Sequence, residues 1–96
     1  MIEMLKEREK VAAIMRRLYT NGLTTASGGN VSMRVGERIL ITPSQLDKAI
    51  ILGEQIGVLN MEGVGLSTRI KKSMETGMHV AIYKKRPDVK AIVHAH

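Results

Sequence analysis

The chain has 96 residues, 44% hydrophobic and 25% charged, a balance that excludes a disordered tail, a fibrous repeat and a multi-domain enzyme. Cysteine is absent, which removes disulfides, thiolate metal sites and cysteine nucleophiles together. Fifteen Lys and Arg against nine Asp and Glu leave a net charge of +6, a field that favours anionic partners, either nucleic acid or phosphorylated metabolites.

Met4, Leu5, Val11, Ile14, Met15 and Leu18 recur at spacings of three and four with charges between them, which predicts an amphipathic helix over residues 2–20. Gly22 stands just past the last periodic residue, where a left-handed backbone closes a helix. Thr24 to Asn30 are small or turn-forming, and Val31 to Val35 alternate apolar and polar, so a loop feeds a strand. Gly36-Glu37 suits a tight hairpin from which Arg38 to Thr42 returns antiparallel, and Pro43 ends that strand. Ile56 to Leu59 reads as a further strand turning at Asn60 to Gly63. Ser73 caps a helix with apolar positions Met74, Met78, Ala81 and Ile82, and Pro87 forces its end soon after Lys85. Lys84, Lys85 and Arg86 then lie in the last turn, where the helix dipole favours cations. After a turn at Pro87-Asp88, Val89 to His96 reads as a buried strand. No apolar run approaches the roughly 20 residues of a membrane span, and the start lacks a signal-peptide pattern, so a cytoplasmic protein is expected.

Three constellations can carry chemistry. His94 and His96 are two apart on a strand, so both imidazoles point to one side of the sheet and can converge on a divalent metal; the plain alternative is two histidines at a loose terminus. His79, in mid-helix, reads as a packing or surface residue rather than a third ligand. Ser27-Gly28-Gly29-Asn30 can form a nest of backbone N–H groups for a phosphate, or simply a glycine turn between helix and strand. Glu75 lies near a helix N-terminus, where an acid is stabilising; beside a metal it can act as a general acid or base.

In order and spacing, Ala26-Ser27-Gly28-Gly29-Asn30-Val31-Ser32, Ile39-Leu40-Ile41-Thr42-Pro43-Ser44, Ser73-Met74-Glu75 with His79, and Arg86-Pro87-Asp88-Val89 into His94-Ala95-His96 resemble the class II aldolase/adducin family, nearest to its L-fuculose-phosphate aldolases. The resemblance implies a three-layered α/β/α fold around a mainly antiparallel sheet, of which this chain is the N-terminal portion. It implies a zinc-dependent lyase that cleaves a phosphorylated ketose such as L-fuculose 1-phosphate to dihydroxyacetone phosphate and an aldehyde, working as a homotetramer. By position, His94 and His96 fall on two of three zinc ligands, the third histidine lying in a segment this sequence lacks. Ser27, Gly28, Asn30, Ser44 and Ser73 fall on the phosphate site, and Glu75 on the catalytic acid/base. The alternatives within the family are a sugar-phosphate epimerase or dehydratase and a non-catalytic, adducin-like metal-binding or interaction module. A nucleic-acid binder is disfavoured, since Phe and Trp are absent, only two Tyr are available for stacking, and no reader motif occurs.

Overall fold

The computed structural model describes residues 4–25, 28–43, 48–66 and 76–95. Helix α1 (Leu5–Thr20) turns Val11 and Met15 inward as predicted, with Ala12 beside them, whereas Leu5 and Ile14 of the predicted apolar stripe are exposed. It closes as expected: Gly22 has φ +71°, its N–H reaches the Tyr19 carbonyl at 3.0 Å, and the Leu23 N–H reaches the Leu18 carbonyl at 2.9 Å. That pair of bonds satisfies the last carbonyls of the helix. Strands β1 (Asn30–Val35) and β2 (Arg38–Ile41) form the predicted hairpin across Gly36-Glu37, with a positive φ of 58° at Gly36 alone. Such a conformation matches the right-handed twist of the two strands. A 3₁₀ turn (Gly53–Gln55) leads into β3 (Gly57–Asn60), one residue later than the sequence suggested, and the chain turns back at Gly63. Helix α2 (Thr76–Lys85) ends where Pro87 requires, and β4 (Ala91–His94) follows.

Among the described residues four strands pair antiparallel in the order β3-β2-β1-β4. Alternation along β1 sends Val31, Met33 and Val35 to one face, where they pack with Val11, Ala12 and Met15 of α1 and with Leu40, Ile51, Ile56 and Val58. The opposite face carries Ile39, Ile41 and Leu59 against Val80 and Tyr83 of α2. Helix, antiparallel sheet and helix make the three-layered α/β/α arrangement that the motifs implied. With both faces covered, a polar residue pointing away from α1 is buried too, and Ser32 is 0% exposed.

Two expectations need correction. The face of α2 that turns inward carries Thr76, His79, Val80 and Tyr83, whereas Met78 is 40% exposed and Ala81 is exposed. Met74 lies outside the described residues. Apolar spacing failed here because the buried stripe is partly polar and is stabilised by its own hydrogen bonds. Strand β4 is shorter than the predicted 89–96 and is not buried: Ala91 and Val93 are exposed, Val93 by 55%. Among the described residues it sits at the edge of the sheet, and an open apolar groove of about 480 Å³ lies between it and α1, lined by Ala13, Ile14, Met33 and Val93 among others.

The charged side of α1 also departs from a simple solvated face. Arg8 is buried, and its guanidinium donates to the carbonyls of Ile56 at 3.1 Å and Glu54 at 2.9 Å. Glu9 accepts from the Gly53 N–H at 2.8 Å and from Arg16 at 2.8 Å. These bonds fasten the 3₁₀ turn to the helix, and Gly53 is needed there because a Cβ would come within 2.9 Å of the Glu9 backbone.

Candidate active site

The ends of β1 and β4 meet where the sequence placed two candidate residues. Asn30 pairs with His94 across the antiparallel ladder, and Ser32 pairs with Ile92. By alternation His94, Asn30 and Ser32 share the face covered by α2. The turn leading into β1 is held tightly. The Thr24 hydroxyl donates to the Gly28 carbonyl at 2.8 Å, and the Gly28 N–H donates to the Thr25 hydroxyl at 2.9 Å. The Gly28 amide of the expected nest is therefore engaged within the turn. Gly29 follows with φ +78°, and a Cβ there would lie 2.2 Å from Thr24 Oγ1 and 3.1 Å from the His94 carbonyl oxygen. Glycine is required at this point both for the left-handed backbone and for the close approach of the turn to β4.

Of the other candidates, Ser27, Ser44, Ser73, Glu75 and His96 lie outside the described residues. Glu75 directly precedes Thr76, the first described residue of α2, and Ser44 follows the buried Thr42-Pro43, where Thr42 Oγ1 accepts the Val31 N–H at 3.1 Å. No group of three or more His, Cys, Asp or Glu able to hold a metal occurs among the described residues. His94 offers one imidazole of the kind a zinc ion takes. His79 does not supply another, because both of its ring nitrogens are committed: Nδ1 to Ser32 Oγ at 2.6 Å and Nε2 to Asn30 Oδ1.

That commitment is a feature the sequence reading missed. Ser32 Oγ also bonds the Tyr83 hydroxyl at 2.7 Å, so Asn30, Ser32, His79 and Tyr83 form one buried polar cluster joining β1 to α2. The available signal was the i, i+4 pair His79 and Tyr83 on one helix stripe, together with the polar parity of Asn30 and Ser32 on β1. Burial pushes the Tyr83 phenol up, and the Ser32 contact pulls it partly back. The folded value thus lies above the ordinary tyrosine pKa of about 10. Its contribution to stability is complete below that pH and is lost as pH rises through the folded value. We expect Tyr83→Phe to cost about 1 kcal/mol at neutral pH. Urea midpoints measured from about pH 8 to pH 11 should fall less steeply for the variant than for the wild type; parallel curves would contradict the assignment.

Comparison with known proteins gives this geometry a context. Over 93 residues the chain is 37% identical to 5-deoxy-D-ribulose 1-phosphate aldolase of Bacillus thuringiensis serovar kurstaki, covering 95% of this chain and 44% of that protein. It is 39% identical over 93 residues to 3-oxo-tetronate 4-phosphate decarboxylase of Haemophilus influenzae, covering 96% and 44% respectively. A solved L-fuculose 1-phosphate aldolase, 31% identical, superimposes with a TM-score of 0.85 across 93% of this chain and 43% of that one. The chain spans less than half the length of these relatives. The pattern of the Class II Aldolase and Adducin N-terminal domain runs through residues 9–96, and the chain belongs to that family.

Proposed function

We propose that residues 1–96 form the N-terminal portion of one class II aldolase domain, a zinc-dependent lyase that cleaves a phosphorylated ketose such as L-fuculose 1-phosphate into dihydroxyacetone phosphate and an aldehyde. The observation that carries this reading is the junction of Gly29 with β4: the glycine turn abuts the His94 carbonyl, and Asn30 is the registered partner of His94. An oxyanion-binding turn and a metal-binding strand joined in this way hold a phosphate ester and its reacting carbons at a fixed separation. The phosphorylated compounds named for the relatives differ, and so do the bonds those enzymes break, which makes recognition of the phosphate ester the common part.

In this reading Ser27, Asn30, Ser44 and Ser73 grip the phosphate, which turns binding energy into orientation of the carbon chain, while Gly28, whose N–H and carbonyl are taken up by Thr25 and Thr24, shapes the turn instead of donating to the ligand. His94 and His96 would hold zinc together with an imidazole from outside this sequence. A zinc ion bound there would supply Lewis acidity, stabilising negative charge that develops on the substrate's oxygens. Glu75 exchanges the proton with the carbon that loses the aldehyde, a general acid/base role worth about 10²–10⁴ in rate. The net positive charge draws the anionic substrate inward. We further propose a cytoplasmic homotetramer whose subunit contacts complete the site.

The test is aldehyde release from L-fuculose 1-phosphate in the presence of zinc, using the polypeptide that carries this sequence at the length of its relatives. Glu75→Gln should lower turnover by about 10³-fold at unchanged zinc content. A zinc-loaded wild type with no lyase turnover would instead favour the adducin-like interaction module.

A further inference from the structure

The rung just beyond the β1 and β2 ladder is irregular. Register carries the pairing from Ser32 and Ile41 on to Val31 and Thr42. A hydrogen-bonded antiparallel pair exchanges two main-chain bonds. The Thr42 N–H gives the first of them, to the Val31 carbonyl at 3.0 Å. The second is replaced: the Val31 N–H reaches the Thr42 hydroxyl at 3.1 Å, where a regular ladder would offer the Thr42 carbonyl. A threonine hydroxyl that stands in for a carbonyl lets the main chain turn away from its partner strand without leaving that N–H unsatisfied. Pro43 follows, with no N–H of its own to continue the ladder. Both Val31 and Thr42 are buried, so water does not compete for the bond.

We infer that Thr42 is a positioning residue of the phosphate site: its hydroxyl takes the place of its carbonyl in the ladder, and so fixes where the chain parts from β1 on its way to Ser44. This rests on the phosphate reading above and deepens it. On one side of the rung, Gly29 and Asn30 lead directly into Val31. On the other, Ser44 is only two residues past Thr42, so its Cα lies within about 7.6 Å of that of Thr42. Both segments carry groups assigned to one phosphate, and a single rung sets the gap between them. Strands in a regular ladder run about 4.8 Å apart. An oxyanion held from both sides needs more than that, since two bonds of about 2.8 Å must be added to the ion itself. Were the Thr42 carbonyl to take the Val31 N–H, the two chains would stay at ladder spacing through this rung and the gap would narrow. The hydroxyl therefore acts as a spacer that never touches the ligand.

The experiment uses the full 96-residue chain, calorimetric titration with inorganic phosphate, and NMR couplings across hydrogen bonds. In the wild type the Val31 amide nitrogen should show no coupling to the Thr42 carbonyl carbon, because its acceptor is a hydroxyl. Thr42→Val keeps the branched shape and loses that acceptor, so the coupling should appear and phosphate affinity should fall about tenfold, the equivalent of one lost oriented donor. Thr42→Ser restores the hydroxyl and should keep affinity within about twofold of the wild type. Thr42→Ala should lose as much as Thr42→Val, and it decides the matter should Thr42→Val not fold. Val58→Ala, which thins the core under α1, should lower the melting temperature yet leave phosphate affinity within about twofold. A coupling from Val31 to the Thr42 carbonyl in the wild type, wild-type affinity in both Thr42→Val and Thr42→Ala, or Thr42→Ser as weak as Thr42→Val would overturn the positioning role alone. No phosphate binding by the wild type would instead overturn the phosphate reading, and the purpose assigned to Thr42 with it.

Discussion

Gly29→Ala should destabilise the protein by roughly 3 kcal/mol, from a left-handed backbone costing about 1–2 kcal/mol and an overpacking cost of about 1–3 kcal/mol. The first part follows from φ +78°, and the second from a Cβ only 2.2 Å from Thr24 Oγ1 and 3.1 Å from the His94 carbonyl. Thr24 does not yield cheaply, because it is buried and its hydroxyl already holds the Gly28 carbonyl at 2.8 Å. Gly36→Ala is the matched control: its φ is +58°, but nothing lies within 4 Å of the added carbon. That variant should lose only about 1 kcal/mol, the backbone part. Urea denaturation of the two variants compares them directly. Equal losses would mean that the turn does not press on β4 as the geometry has it, and the proposed junction of phosphate turn and metal strand would lose its basis.

The second large effect belongs to Arg8. Replacing it with Met preserves most of the buried volume and removes the donors to Ile56 and Glu54, so about 2–4 kcal/mol should be lost through two unsatisfied carbonyls. Arg16→Met offers the contrast. Its side chain is 30% exposed and its carboxylate partner Glu9 is 48% exposed, a pair that contributes about 0–1 kcal/mol, and with the one further bond it donates to the Ile51 carbonyl the variant should lose about 1–2 kcal/mol. Arg16 and then the Gly53 N–H hold the Glu9 carboxyl below the usual carboxylate range. The small stabilisation from Glu9 is therefore present above the unfolded pKa and lost as pH falls through the lowered folded value. A chemical denaturation series at neutral pH should rank Arg8→Met below Arg16→Met, and a reversed order would show that Arg8 does not hold the 3₁₀ turn.

The parts of the fold that were legible in the sequence are those written in short-range pattern. Heptad-like spacing marked α1, Gly22 marked its end, and Gly36-Glu37 marked a hairpin, because each depends on residues only a few positions apart. The buried place of Arg8 was not legible in the sequence, since period alone says which side of a helix is apolar and nothing about carbonyls some 46 to 48 residues away that need a donor. The same limit hid the Ser32, His79 and Tyr83 cluster: a polar residue opposite the apolar face of β1 looks exposed until a second layer covers it. At the candidate site, the motifs and the family resemblance singled out Asn30 and His94. Their pairing spans 64 positions of sequence and is a property of the sheet, so spacing could not supply it.

The outer flank of β4 has a physical consequence of its own. Among the described residues β4 bonds to β1 alone, and exposed Ala91 and Val93 stand on the side that borders the apolar groove. A terminal strand of this kind is a template on which an additional extended segment can crystallise by main-chain bonding, with a greasy slot beside it to reward the addition. Lys90 just ahead of the strand and the overall cationic surplus oppose such growth by mutual repulsion. Colloidal behaviour of the isolated polypeptide should accordingly worsen as salt screens that repulsion, the reverse of what simple salting-in of a basic protein would give.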